Sequence, residues 1–305
     1  MAYPHETERH TATGSVRTRQ VKAHRHESVE EASVSARRDW TQASAKALVE
    51  YEVKEGVAWI RLNDPPANTY THAMMRQLDD AILKARFDNA VHVLLITGAG
   101  EKFFCAGANI QMLQEVDPTF KYQFCLHANE TLTRLEQTPK LVIAAINGHC
   151  VGGGLEIALA TDLRFARKGD GKIGLPEVNL GVLPGTGGTQ RLARTLGRAK
   201  AIELIVEGKN LSVEQAHALG LVNRVSTGED FLQEVQEYAR EFVPPRRASK
   251  AVGRIKRAVV SGLESGLAEG LALERELQQQ LFLSDDAAEG IRAYNEKRTP
   301  SFKGE

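Results

Sequence analysis

Two apolar runs constrain this chain more than anything else in it: VHVLLITG (91–98) and KLVIAAING (140–148). Each has the length of a buried strand, ends in a glycine turn and leads on toward a helix. Ahead of them, ALVEYEV and VAWIRL flank KEG, two alternating runs joined by a Gly-containing turn, which predicts a hairpin. HAMMRQLDDAILKARF places Met74, Met75, Leu78, Ile82 and Phe87 at helical spacing. TFKYQFCLHANETLTRLEQ reads as another helix. Strand and helix alternate in this way to about residue 225, and such alternation predicts an α/β domain. NLSVEQAHALGLVNRV carries a capping box, with Ser212 and Gln215 each positioned to satisfy the other's main-chain N–H, and Gly220 closes that helix.

After Pro244 and Pro245 the pattern turns almost wholly helical, so a boundary falls near 245: a core over 46–245 and a helical region over 246–305. Residues 1–45 are polar, mixed in charge and without apolar periodicity, and read as a mobile extension. That stretch has no apolar segment for a secretory signal, and its glutamates argue against a transit peptide. His5, His10, His24 and His26 cluster there, and a solvated tail is preferred over a metal site. Lys plus Arg and Asp plus Glu are both 39, so no net field draws nucleic acid or an anionic membrane. No apolar run approaches the roughly 20 residues of a membrane span. Three scattered cysteines, Cys105, Cys125 and Cys150, form no CxxC pair. They fit a reducing, cytoplasmic compartment rather than a disulfide framework or structural zinc.

The chemistry-bearing stretch is NGHCVGGGLEIALATD (147–162). A helix start leaves N–H groups without partners, and glycine lets an oxygen approach them. Gly152 and Gly153 thus offer main-chain donors, and Glu156 falls on the same face of the first turn. A first-turn acid also compensates the helix dipole, and a Gly-rich start also serves tight packing. Two further segments add weight. FFCAGANI makes a second small-residue turn at Ala106, Gly107 and Ala108. GLPEVNLGVLPGTGG holds Glu177 behind Pro176, which biases Leu175 toward an extended conformation. PGTGG lacks the Lys-Ser/Thr ending of a phosphate-binding loop and reads as a turn before a helix.

Together FFCAGANI, INGHCVGGGLEIALATDLRFA, GLPEVNLGVLPGTGGTQRL, AHALGLVNRV and EGIRAYNEKRTPSF resemble the crotonase superfamily, and within it the enoyl-CoA hydratases, over about 47–305. The resemblance implies a spiral of ββα turns, a helical C-terminal trimerisation region and a homohexamer made of two trimers. It implies Ala108 and Gly153 as the oxyanion hole for a thioester and Glu156 and Glu177 as catalytic acids. Ala106, Asn109, Ile110, Gly152 and Lys303 would line the acyl-CoA site. No metal or separate cofactor is implied, coenzyme A being part of the substrate. A single acid at the position of Glu177 can serve an enoyl-CoA isomerase, so the pair favours hydration over isomerisation. A non-catalytic RNA- or protein-binding relative is the competing class, and the basic run RRASKAVGRIKR gives it a foothold. Arg254, Lys256 or Arg257 are alternatively candidates for CoA phosphates. The family often carries Asp where Asn109 stands, often a Lys in the turn that here reads NDPPANT, and in some members Gln at Leu175. Pocket walls are expected at Phe104, residues 111–113 and the helix over 118–130.

Overall fold

The computed structural model describes residues 39–305. The tail therefore lies mostly outside the described residues, the four clustered histidines included. Strands β1 (Val49–Lys54) and β2 (Val57–Leu62) form the predicted antiparallel hairpin. Its turn residues, Glu55 and Gly56, both have positive φ, 51° and 78°, the pattern that matches strand twist in a two-residue hairpin. Helix α1 (His72–Phe87) follows, with Thr71 accepting from Met74 N–H at its start. The chain then pairs each long strand with a short one. Strand β3 (Val93–Gly98) is followed by β4 (Phe103–Cys105) and by helices α2 (Ile110–Glu115) and α3 (Pro118–Glu136). Strand β5 (Leu141–Ile146) is followed by β6 (His149–Val151) and α4 (Gly153–Leu159). Strand β7 (Leu163–Arg167) is followed by β8 (Lys172–Gly174), a 3₁₀ turn (Glu177–Leu180), α5 (Gly188–Leu196) and α6 (Arg198–Glu207). Strand β9 (Asn210–Ser212), α7 (Val213–Ala218), β10 (Arg224–Ser226) and α8 (Phe231–Arg240) complete the α/β part. The Ser212–Gln215 capping box is present as read.

The long strands build one sheet in the order β1-β2-β3-β5-β7-β10, parallel from β2 onward. The short strands build a second, β4-β6-β8-β9. Three laps, β3–β4, β5–β6 and β7–β8, thus lay one strand in each sheet before their helices, the ββα spiral. The apolar runs are continuous because both faces of the long sheet are covered. Leu94, Ile96, Val142 and Ala144 face the main core, while Val93, Leu95, Ile143 and Ala145 face α8 through Phe231, Val235 and Ala239.

Two expected boundaries shift. Trp40 is buried in the main core and its Nε1–H donates to Glu115 at 2.8 Å, so the packed chain begins before residue 46. One large aromatic covers enough apolar area to fix a segment that is otherwise polar. Residues 246–305 are helical as expected: α9 (Ser249–Leu263), α10 (Leu267–Phe282) and α11 (Asp285–Asn295). They nevertheless belong to the same compact unit, Asp39–Glu305. Helix α9 is fastened to β5 by buried Lys256, whose Nζ pairs with Asp162 at 2.9 Å and donates to Lys140 O at 3.1 Å. Lys256→Met is expected to cost about 3 kcal/mol, because Asp162 keeps an uncompensated buried charge. Urea unfolding checks this, and adding Asp162→Asn should restore part of the loss.

Candidate active site

The site forms where the short strands end. Ala108 lies three residues past β4, Gly153 two past β6 and Glu177 three past β8, and these strands are neighbours in one sheet. Gly152 turns the chain from β6 into α4 with φ 56° and ψ −133°, a conformation open to glycine. Its N–H donates to Gly174 O at 2.8 Å, which ties the turn to the end of β8. Gly153 opens α4, so its N–H has no acceptor within the helix. Across from it, Tyr70 N–H donates to Gly107 O and Asn109 N–H donates to Tyr70 O, both at 3.0 Å. This one-residue parallel bridge turns the N–H of Ala108 away from Tyr70. The two turns abut: a Cβ on Gly107 would stand 2.9 Å from Gly153 N.

Both acids border this junction. Glu156 is 2% exposed. Its Oε1 accepts from Thr186 N–H at 2.8 Å and Gly188 N–H at 2.7 Å, at the start of α5, and its Oε2 accepts from the Thr186 hydroxyl. Burial pushes the Glu156 carboxyl upward, and these three donors, with the Arg191 guanidinium, pull it back. Glu177 is half-buried, and its Oε1 lies 3.0 Å from where a Cβ on Gly152 would stand. It opens the 3₁₀ turn, where the sequence predicted only a loop. Its Oε2 is buried without a hydrogen-bond partner among the described residues. Burial first, then the charge of Glu156, push this carboxyl up to about 7, against one main-chain N–H. Two carboxyls thus adjoin one turn in different settings: one accepts three hydrogen bonds, the other has a buried oxygen without a partner among the described residues.

Other expected residues distribute differently. Asn109 caps α2, its Oδ1 accepting from Met112 N–H at 2.9 Å and its Nδ2 donating to Thr69 at 3.3 Å, so its amide is committed to structure. Ala106 is half-buried with its N–H donated to Ala67 O, and Ile110 is exposed beside the first turn. Lys303 does not line the site within this chain. Its N–H donates to Asp286 Oδ1 at 2.7 Å, and neighbouring Gly304 packs beside His92, ahead of β3, at the opposite end of the sheet. Lys256 is likewise committed to Asp162. Phe104 is wholly buried in the core; on α3, Phe124 lies 5.6 Å from the Tyr70 ring, and Cys125 borders Gly185. Burial pushes the Cys105 thiol up to about 12 and raises Cys150, which fits packing rather than nucleophilic roles. His149 points the other way from Cys150, its Nδ1 accepting from Lys172 N–H at 3.1 Å. Among the described residues, no group of three or more His, Cys, Asp or Glu is placed to hold a metal ion, and no helix is long and apolar enough to cross a membrane. Sequence reasoning missed Tyr70 and Thr186. The hydroxyl of Thr186 sits in what reads as an ordinary Gly-rich turn, and Tyr70 in a segment with no periodic signal.

Comparison with known proteins gives one consistent result. The sequence profile of the enoyl-CoA hydratase/isomerase family matches residues 52–305. A short-chain-enoyl-CoA hydratase of Clostridium acetobutylicum is 37% identical over 247 residues, 80% of this chain and 94% of that one. A crystal structure described as "enoyl-CoA hydrates" of Geobacillus kaustophilus superposes with a TM-score of 0.83 at 44% identity, covering 86% of this chain and 98% of that one. An enoyl-CoA hydratase structure of Bacillus anthracis gives 0.79 at 34% identity, covering 85% and 100%.

Proposed function

The chain belongs to the enoyl-CoA hydratase/isomerase family, and from that premise we propose that it adds water across the 2,3 double bond of a 2-enoyl-CoA thioester, giving the 3-hydroxyacyl-CoA. One observation carries this reading: two carboxyls, one accepting three hydrogen bonds and the other with a buried, unpartnered oxygen, border a turn with two main-chain donors. The N–H groups of Ala108 and Gly153 donate to the thioester carbonyl oxygen. Glu156 takes a proton from water as its oxygen bonds to Cβ, and the π electrons move onto the carbonyl oxygen as an enolate. Glu177 gives its proton to Cα as the enolate collapses. Glu156 then holds the water's proton and Glu177 is anionic, and exchange with solvent resets the pair. Each acid/base role is worth roughly 10²–10⁴ in rate. The reaction asks for no cofactor beyond the CoA of the substrate. Exposed apolar side chains on α9 and α10, among them Ile255, Val259, Leu267 and Leu271, support assembly through the C-terminal helices, consistent with a dimer of trimers. A cytoplasmic location suits this substrate class.

The test is loss of enoyl-thioester absorbance with crotonyl-CoA. No turnover with that substrate or with longer and branched 2-enoyl-CoA esters would end the reading. The pH dependence has a definite sign. Glu177 must be protonated, so kcat/KM is expected to fall as pH rises through about 7. Glu156 must be ionised, and because burial raises it, the acid limb is expected above the ordinary 4.5. A flat profile from about pH 5 to about pH 9 would contradict both assignments.

A further inference from the structure

Tyr70 meets both turns of the junction and Thr186. Its main chain braces the segment carrying Ala108, through Gly107 O and Asn109 N–H. Its ring fills the space beside Gly153, where a Cβ would stand 2.2 Å from the hydroxyl oxygen. Its hydroxyl meets Thr186 Oγ1 at 3.1 Å, in a fully buried setting. The Thr186 proton is committed to Glu156 Oε2 whenever Glu156 is anionic. Thr186 then has only lone pairs to offer Tyr70, so Tyr70 is the donor. The result is a directed chain, Tyr70 to Thr186 to Glu156. Both main-chain donors fill Oε1, while Oε2 receives the threonine alone and keeps a lone pair for another partner.

We propose that Tyr70 is a positioning residue: through Thr186 it locks the Glu156 carboxylate so that its free Oε2 lone pair, and no other, faces the water to be activated. The proposal rests on Glu156 being the base of the hydration reaction. A hydroxyl that accepts a hydrogen bond becomes a better donor, so the chain favours the anion. The groups that otherwise bear on Glu156 are Arg191 of α5, which favours its charge, and the carboxyl of Glu177, the thiol of Cys125 on α3 and the Tyr70 phenol itself, whose ionisations couple to it.

Tyr70→Phe keeps the ring against Gly153 and removes only the hydroxyl. Two readouts follow: the Glu156 carboxyl titration by infrared difference spectroscopy without substrate, its band assigned by loss in Glu156→Gln, and steady-state hydration of crotonyl-CoA. Tyr70→Phe is expected to raise the Glu156 midpoint by about half a pH unit to one unit. The acid limb of kcat should move up with it, kcat should fall roughly tenfold, and KM should change less than about twofold. Thr186→Val removes the direct bond and should produce a larger shift, Thr186→Ser should recover most of that loss, and Tyr70→Phe added to Thr186→Val should shift nothing further. Tyr70→Phe with a wild-type midpoint and kcat would overturn the proposal by reducing Tyr70 to packing, and so would an equal effect of Tyr70→Phe in the Thr186→Val background. A coupled titration shift in a protein that hydrates no enoyl-CoA would sink the hydration reading while the chain of hydroxyls stood. Hydration without the shift would sink the chain of hydroxyls alone.

Discussion

Glu177→Gln is expected to lower kcat for crotonyl-CoA hydration by about 10³–10⁴, and Glu156→Gln by a comparable factor, with product binding retained in each. The two losses have different origins. Glutamine at 177 has no acidic proton for Cα, whereas glutamine at 156 cannot take the proton of water and presents an amide N–H₂ where the anion accepted three donors. Because both acids serve one addition, the double variant should lose little more than either single. Rates within about tenfold of wild type for either variant would remove that residue from the chemistry. A residual isomerase activity confined to Glu156→Gln would show Glu177 working alone. Stability supplies a separate check on Glu177. Its folded value, about 7, lies above the ordinary 4.5, so the folded state holds the proton more tightly than the unfolded chain does. Its ionisation therefore destabilises the fold progressively as pH rises from about 4.5 to 7, and the loss is complete above that window. Glu177→Gln is expected to melt higher than wild type at about pH 8, with the gap narrowing toward about pH 4, where both carboxyl states are neutral. A variant that loses both activity and stability at alkaline pH would mean the carboxylate is held by donors after all.

Gly153→Ala is expected to cost about 10²–10³ in kcat, the effect of removing one oxyanion donor. The added methyl would stand 2.2 Å from the Tyr70 hydroxyl oxygen and 2.3 Å from Cε1, closer than real Cβ contacts. Tyr70 cannot easily yield. Its main chain is bonded to Gly107 and Asn109, and Phe124 lies 5.6 Å from its ring. The N–H of residue 153 must move, or the ring must swing away from Thr186, and each route harms the same reaction. Gly153→Ala/Tyr70→Ala makes room for the methyl and should recover part of the donor's share. Turnover within about threefold of wild type in Gly153→Ala would show that this N–H does not hold the oxygen.

The parts of this molecule that were legible in its sequence are those whose signal is local. The hairpin showed through KEG, α1 through its Met and Leu spacing, and α7 through Ser212 and Gln215. The strands β4, β6, β8 and β9 are three residues each, too short for a period to register. Glu156 and Glu177 could be singled out by helix-start chemistry, a proline and a family resemblance. Their meeting depends on β6 pairing with β8, which no local pattern reports. The Tyr70–Thr186 contact spans 116 residues of chain and joins two segments that individually look unremarkable in composition. The placement of Lys303 was hidden for a related reason: nothing in EKRTPSFKGE announces that Asp286 folds the terminus back onto α11 through the N–H groups of residues 303 and 304. Trp40 shows the opposite case, where a single side chain overrides the character of its neighbourhood.

The ladder β4-β6-β8 sets the distances among the reacting groups by hydrogen-bonded strand pitch, about 4.8 Å per rung. The lengths of the intervening segments do not enter that spacing. Residues of α2 and α3 that do not touch Tyr70, Asn109 or Gly185 are therefore free to vary without altering that spacing.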